Sequence, residues 1–198
     1  MRDWGRIPPC AVAPLGVSMP VPDTDALPPS ILPGRPYFVT VGTIEPRKNH
    51  RFLLDMWDEM GPDAPPLLIC GRRGWNNANV FERLDNLTSD SPIRELSGLS
   101  DAVMATLMHQ SAGCLFPSLA EGFGLPPAEA VTLGARVLCN KLPIFREILG
   151  NSVEFASVND SHLWLRKIKD WEQTPVVAGR PTGIKGLTWA NHFGAVLN

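Results

Sequence analysis

The sequence has no excess of charge of either sign. Its 18 lysines and arginines are balanced by 20 aspartates and glutamates, which leaves a net charge of -2. A nearly neutral chain gives no electrostatic case for a nucleic-acid partner. The sequence also lacks any apolar run close to the roughly 20 residues that span a bilayer, and its N-terminus lacks the apolar core of a signal peptide. We therefore expect a soluble protein in a reducing, cytoplasmic environment.

Patterns for metal ions and disulfides are missing as well. The four cysteines, Cys10, Cys70, Cys114 and Cys139, are widely spaced and form no CxxC pair. Three of them fall within apolar runs, which predicts buried thiols rather than metal ligands or a disulfide. The four histidines also lack the spacing of metal ligands. We expect no metal site.

Apolar runs and amphipathic segments alternate along the chain. Runs typical of buried strands occupy 37–42, 65–71, 93–96, 113–116, 135–139 and 153–155. Segments with helical periodicity follow Asn49 and Asp101, which we expect to cap their helices, and occur near 80–87, 126–133, 143–149 and 161–171. The alternation predicts an α/β fold, with one doubly wound parallel sheet and right-handed crossovers.

The segments on either side of this pattern are rich in proline and show no hydrophobic periodicity. Residues 1–34 are predicted to form an interdomain linker that contains one short strand within 10–17. Residues 35–172 form the predicted folded domain. Residues 173–198 are predicted to hold a second linker and a short helix over 187–197, which Gly194 weakens.

The stretch from 115 to 134 is the centre of the pattern. It begins as an apolar strand, continues through a loop with Gly122 and Gly124, and becomes helical near Pro126 and Pro127. Glycine allows a backbone conformation that a Cβ forbids and a close approach to a ligand, whereas proline suits the first turn of a helix. Gly134 is placed like a C-terminal stop. A strand, a glycine loop and a helix N-terminus together predict a site for phosphates or sugars.

Two cations, Arg47 and Lys48, follow the first predicted strand. Pro46 disfavours a helical conformation at Glu45, so the cations fall at the carboxyl edge of the sheet, where ligands bind. The planar fork of arginine and the compact charge of lysine suit a diphosphate. Two cations near a helix N-terminus oppose the helix dipole unless an anion joins them. A solvated pair of charges is the alternative interpretation.

The segment 121–129, Glu-Gly-Phe-Gly-Leu-Pro-Pro-Ala-Glu, resembles the Glu-x7-Glu signature of the retaining, nucleotide-sugar-dependent glycosyltransferases of family 4, the group 1 type. The Glu-Pro-Arg-Lys-Asn segment at 45–49 matches the same family. Its members have two Rossmann-like domains that face each other across a cleft, the GT-B architecture. The resemblance implies that this chain is the C-terminal, Rossmann-like half of such an enzyme.

The resemblance also implies roles for individual residues. Arg47 and Lys48 would neutralise the departing nucleoside diphosphate, and Glu121 would contact the transferred sugar, so these three form the predicted catalytic set. Glu129 would hold the ribose hydroxyls. The predicted donor-binding residues are Gly42, Gly71, Gly98, Leu99, Gly122, Phe123, Gly124, Leu125 and Glu129. A purely structural turn is the alternative for 98–100, and a plain surface loop is the alternative for Arg72.

The activity implied is the transfer of a hexose from a nucleotide diphosphate sugar to a glycan or a lipid-linked acceptor, with retention and without a metal or other cofactor. Similar sequences often use GDP-mannose in surface polysaccharide assembly, although the residues do not fix the sugar. The acceptor would bind through an N-terminal domain, so this chain alone is expected to be an inactive half. A GT-B sugar-nucleotide epimerase and a noncatalytic nucleotide-sugar-binding module remain alternatives.

Overall fold

A computed structural model describes residues 10–28, 30–174, 184 and 187–197. Its centre is a six-stranded sheet in the order β3-β2-β1-β4-β5-β6, and all neighbouring strands are parallel. The strands are β1 Phe38–Val41, β2 Leu67–Cys70, β3 Ile93–Leu96, β4 Gly113–Phe116, β5 Val137–Cys139 and β6 Glu154–Phe155. The prediction of a doubly wound parallel sheet is confirmed.

Helices connect the strands and lie within a few residues of their predicted positions. They are α1 His50–Met60, α2 Ala78–Asp85, α3 Asp101–Gln110, α4 Leu125–Thr132, α5 Pro143–Leu149, α6 Ser161–Gln173 and α7 Trp189–Leu197. Gly134 has a φ of 76° directly after the end of α4, which confirms it as the helix stop. None of the described helices is long and apolar enough to cross a membrane.

The four central strands are buried on both faces because their alternate side chains enter two different apolar clusters. Leu68 of β2 packs with residues of α3 and α4 on one face, whereas Leu67 packs with α1 and α6 on the other. The cysteines of β2, β4 and β5 belong to the first cluster, which confirms them as buried thiols. Burial raises the pKa of Cys70 and Cys114 to about 12, so these thiols stay protonated and unreactive.

Two local predictions are wrong. Residues 10–17 form no strand, because Pro14 cannot donate to a ladder; instead the N–H of Val17 donates to Leu187 O at 3.1 Å. Ser100, not Asp101, caps α3, and its hydroxyl accepts from the N–H of Val103 at 3.4 Å.

Asn49 is the N-cap residue of α1, as predicted, but its side chain makes no capping hydrogen bond. Its backbone is left-handed, with a φ of 58°, rather than extended as a side-chain cap requires. The side-chain amide donates to Pro117 O at 3.2 Å instead, and so joins the loop after β1 to the loop after β4.

The predicted boundaries at 34/35 and 172/173 stay predictions. The sheet lies between residues 38 and 155, and α6 ends at Gln173. Both predicted linkers fall partly outside the described residues.

The strand order places a topological switch point between β1 and β4. Beyond β1 the chain moves to β2 and β3 on one side, and from β4 it moves to β5 and β6 on the other. The loops that leave the carboxyl ends of β1 and β4 therefore diverge and open a crevice, where open α/β sheets bind ligands. These two loops contain the cations Arg47 and Lys48 and the glycines Gly122 and Gly124.

Candidate functional site

A cavity of about 690 Å³ opens at this switch point. Nine of the twelve predicted site residues line it. Its lining consists of Gly42, Thr43, Arg47, Lys48, Ala120, Glu121, Gly122, Phe123, Gly124, Leu125, Pro126 and Glu129. Another cavity, of about 450 Å³, lies near the amino ends of β5 and β6 and contains none of the predicted site residues.

One carboxylate holds both cations. Glu121 Oε1 lies 2.6 Å from Lys48 Nζ, and Glu121 Oε2 lies 2.6 Å from Arg47 Nη1. The side chains of Glu121 and Lys48 are 5% and 9% exposed, whereas that of Arg47 is 43% exposed. Glu121 is thus the anion that two cations beside a helix N-terminus require. The sequence predicted all three residues but not their direct pairing.

Hydrogen bonds fix Glu121 from the side of β4. Ser118 Oγ donates to Glu121 Oε1 at 2.8 Å, and Asn140 Nδ2 donates to Ser118 O at 2.8 Å. The N–H of Leu119 donates to Arg47 O at 2.7 Å. Sequence reasoning missed Ser118 and Asn140, because nothing in the local pattern around them indicates their partners. Together these bonds hold the two loops at a fixed separation.

Glu45 is a second carboxylate of the site that the sequence analysis did not assign. Its backbone is extended, with a φ of -138°, as Pro46 predicts. The side chain is buried, and its Oε1 lies 2.6 Å from Arg47 Nη2. Its Oε2 accepts a hydrogen bond of 3.0 Å from the indole Nε1 of Trp75. Arg47 is therefore clamped between two carboxylates.

The charges of the two cations and the two carboxylates cancel, but N–H donors of Arg47 and Lys48 remain for a ligand. A guanidinium has five N–H donors and an ammonium has three. Among the described residues, Lys48 donates to Glu121, and Arg47 donates to Glu45, Glu121 and Ala120 O. Both cations line the cavity. An anion could therefore accept further hydrogen bonds from them while the ion pairs persist.

The glycine loop reaches the cavity between β4 and α4. Gly124 precedes α4 with a φ of 86°, and a Cβ there would lie 2.6 Å from the ring of Phe145. Only glycine fits this conformation and this space. Pro126 and Pro127 remove two N–H groups from the first turn of α4, so backbone donors for a ligand must come from the glycine loop and Leu125.

Glu129 lies one turn into α4 and is partly buried. Burial raises the pKa of its carboxyl, the charge of Asp101 raises it further, and Lys48 partly opposes both effects. Asp101, at the start of α3, is therefore electrostatically coupled to the site. The sequence analysis treated Asp101 only as a helix cap, because the packing of α3 against α4 is not visible in the local pattern.

Three predicted donor-binding residues do not line the cavity. A Cβ on Gly71 would lie 2.0 Å from Gly42 O, so the turns after β1 and β2 pack in direct contact. Gly98 has a φ of 70° and open space around it, and Leu99 packs against the core beside α3. The donor-binding roles of these three residues stay predictions.

Metal binding has no candidate in the part of the chain that the structure describes, since no cluster of three or more His, Cys, Asp or Glu side chains forms there. The cavity instead presents cations, carboxylates and backbone amides, which are groups that bind phosphates and polyhydroxylated molecules.

Comparison with known proteins shows the family of the chain. A family model described as glycosyl transferases group 1 matches residues 26–181. O-antigen chain mannosyltransferase B of Escherichia coli is 30% identical over 172 residues, which are 82% of this chain and 45% of that protein. The serotype-specific mannosyltransferase WbdA of Escherichia coli is 31% identical over 161 residues, which are 78% of this chain and 20% of that protein.

O-antigen chain mannosyltransferase RfbU of Salmonella typhimurium is 28% identical over 147 residues, which are 73% of this chain and 40% of that protein. The chain therefore spans less than half the length of these curated relatives.

Solved structures share the fold at low sequence identity. A UDP-forming α,α-trehalose-phosphate synthase from Burkholderia vietnamiensis superposes with a TM-score of 0.61 at 14% identity, over 87% of this chain and 40% of that one. An α,α-trehalose 6-phosphate synthase from Burkholderia multivorans gives 0.59 at 13% identity, over 83% of this chain and 39% of that one. This likeness supports the Rossmann-like architecture and says nothing of the substrate.

Proposed function

The chain belongs to the group 1 glycosyltransferases, and we propose that it is the donor-binding domain of an enzyme that transfers a hexose from a nucleotide diphosphate sugar. Three of its relatives are named as mannosyltransferases, which supports mannose as the transferred sugar and GDP-mannose as the donor. A glycan or a lipid-linked saccharide is the proposed acceptor.

The observation that carries the proposal is the pair Arg47 and Lys48 at the switch point, held by Glu121. When the bond between sugar and diphosphate breaks, negative charge accumulates on the departing phosphate. Fixed cations at that position stabilise the charge in the transition state without reorganising. In this proposal the cations replace a divalent metal ion, so no metal is required.

Glu121 and Glu129 are proposed to bind the two sugars of the donor. A carboxylate has about four acceptor positions, and Glu121 uses three of them for Arg47, Lys48 and Ser118. The position left over would accept a hydroxyl of the transferred hexose, assisted by the amides of the glycine loop. Glu129, farther along α4, would accept the ribose hydroxyls.

Transfer would proceed with retention and would require a second domain. We propose that the acceptor binds across the cavity, mainly on a further domain of the full-length protein, because the matched segments cover only 45% and 40% of two relatives. Closure of two domains excludes water and orients the reacting groups. The chain by itself should therefore bind the donor but transfer nothing. A cytoplasmic location is part of the same proposal.

Calorimetric titration with GDP, UDP and ADP, and with the matching nucleosides, tests the proposal. Arg47→Ala should weaken diphosphate binding about tenfold or more and leave nucleoside binding nearly unchanged, because it removes charge-assisted hydrogen bonds to phosphate. Arg51→Ala is a matched control, since Arg51 is exposed on α1 and pairs with Asp55. If no nucleotide binds, or if Arg47→Ala affects nucleoside and diphosphate equally, the donor-domain proposal is wrong.

A further inference from the structure

The turn after β2, residues 71–77 and here called the Trp75 turn, packs against the wall of the cavity. The N–H of Ile44 donates to Arg72 O at 2.9 Å, and the N–H of Gly74 donates to Ile44 O at 3.1 Å. A Cβ on Gly74 would lie 2.7 Å from Thr43 Cγ2, and Thr43 lines the cavity. The Trp75 turn is therefore the neighbour of the loop after β1, on the side away from β4.

Trp75 combines high exposure with a fixed position. The residue is 63% exposed, whereas Trp57, Trp164 and Trp171 are buried in the core. Its indole N–H is nevertheless bound to the buried carboxylate of Glu45, which also pairs with Arg47. The indole N–H is thus hydrogen-bonded within the protein, whereas the apolar surface of the ring remains exposed to solvent. A fixed aromatic ring offers contact area at a low entropic cost.

The Trp75 turn has two unusual local features. Asn76 has a left-handed backbone with a φ of 48°, which asparagine adopts more readily than most residues, and Asn77 Nδ2 is buried without a hydrogen-bond partner among the described residues. The turn keeps this conformation because Arg73 is anchored to Asp85 at 2.6 Å and to Glu95 at 2.7 Å. A buried polar atom without a partner is uncommon in folded proteins and is one sign of a functional site.

We infer that Trp75 is a stacking platform for a sugar ring of the carbohydrate acceptor, positioned beside Arg47 by Glu45. The inference rests on the proposed function. The proposed diphosphate, hexose and ribose contacts of the donor all lie in the loops after β1 and β4 and in α4, whereas Trp75 lies beyond Glu45, on the side of β2. A molecule stacked there would lie beside Glu45 and Arg47, and therefore close to the proposed diphosphate of the donor.

A pyranose ring suits this surface. One face of the ring carries C–H groups that can bury apolar area against the indole. Its hydroxyls would remain in water or reach Arg72 and Asn76, which are exposed on either side of Trp75. A nucleobase could also stack on an indole, and the experiment separates the two ligands.

Titration of the ¹⁵N-labelled chain with mannobiose and mannotriose tests the inference. The indole N–H signal of Trp75 is assigned by its loss in Trp75→Phe. We expect this signal to shift and saturate in the millimolar range. Trp75→Ala should raise the apparent Kd for mannotriose about tenfold and change the Kd for GDP less than twofold. Leu119→Ala removes an exposed apolar side chain on the other side of the cavity and should change neither.

Two results would contradict the role of Trp75 as a platform and leave the donor site intact. In the first, neither saccharide shifts the indole N–H signal of Trp75, although GDP shifts the amide signals of the glycine loop. In the second, Trp75→Ala binds the saccharides as tightly as the parent. A loss of GDP affinity in Trp75→Ala would show that the indole serves the donor, either by stacking on the base or by holding Glu45 against Arg47, and would also contradict the inference. A failure of GDP to bind the parent chain would instead count against the proposed function.

Discussion

The ammonium nitrogen of Lys48 lies 2.6 Å from Oε1 of Glu121, although the two residues are 73 positions apart in the chain. Both side chains are almost completely buried, and the same carboxylate reaches Arg47 through Oε2. The ion pair therefore joins the two loops of the switch point directly beneath the cavity. Any phosphate that enters would therefore bind to cations that are already paired with Glu121.

Glu121→Gln should lower the free energy of unfolding by about 3 kcal/mol, because it leaves the buried ammonium of Lys48 without its ion-pair partner. Urea unfolding measures this change. A nucleoside diphosphate can supply the missing negative charge, so GDP should stabilise the variant by more than it stabilises the parent. Glu147→Gln, on the exposed surface of α5, is the control. A stability equal to that of the parent would show that the ion pair contributes nothing.

Glu129→Gln should reduce the preference for ribose over 2′-deoxyribose ligands, because a carboxylate accepts hydroxyl hydrogens better than an amide. The pKa of Glu129 is raised by burial and by Asp101, so the parent should lose the same preference as the pH falls towards this raised pKa. Asp101→Asn should move that loss to lower pH. The ratio of the Kd values for GDP and 2′-deoxy-GDP, measured across pH, tests the assignment; a ratio independent of both pH and Glu129 contradicts it.

Gly71→Ala and Gly122→Ala should separate the effect of loop packing on stability from the effect of the glycine loop on donor binding. A Cβ on Gly71 would lie 2.0 Å from a backbone oxygen, which cannot move away without displacing the loop after β1. We expect a loss of about 3 kcal/mol in the free energy of unfolding, or a failure to fold. Gly122 has open space around it and no positive φ, so Gly122→Ala should fold normally and weaken donor binding alone. Comparable unfolding midpoints for both variants would disagree with this geometry.

His50 should make stability depend on pH. Its ring is buried at the start of α1, and burial together with the charge of Lys48 lowers its pKa from 6.5 to about 4. Between these values the unfolded chain binds a proton that the folded chain does not. The free energy of unfolding should therefore fall by up to about 3 kcal/mol as the pH drops from 6.5 to 4.

Urea unfolding at a series of pH values measures this dependence. His50→Gln should flatten it over the same range, and His162→Gln, on the exposed surface of α6, should not. Identical pH profiles for the parent and His50→Gln would exclude His50 as the cause.

The sequence by itself determined the elements and the side chains that follow them. Strands buried on both faces appear as short apolar runs, and glycine and proline fix the ends of α4, because these signals act over a few neighbouring residues. The same local signals placed Arg47, Lys48 and Glu121 at the ends of strands. The cap of α3 was misassigned by one residue, since Ser100 and Asp101 have equally suitable side chains.

Only the tertiary structure decided which of these residues meet. Alternation of strands and helices does not specify that β1 lies between β2 and β4, yet this order creates the switch point and brings Glu121 to Lys48. The bonds from Glu45 to Trp75 and from Ser118 to Glu121 depend on how adjacent loops pack. Such contacts form because the whole sheet packs densely and excludes water, which brings distant parts of the chain together. No local sequence pattern predicts them.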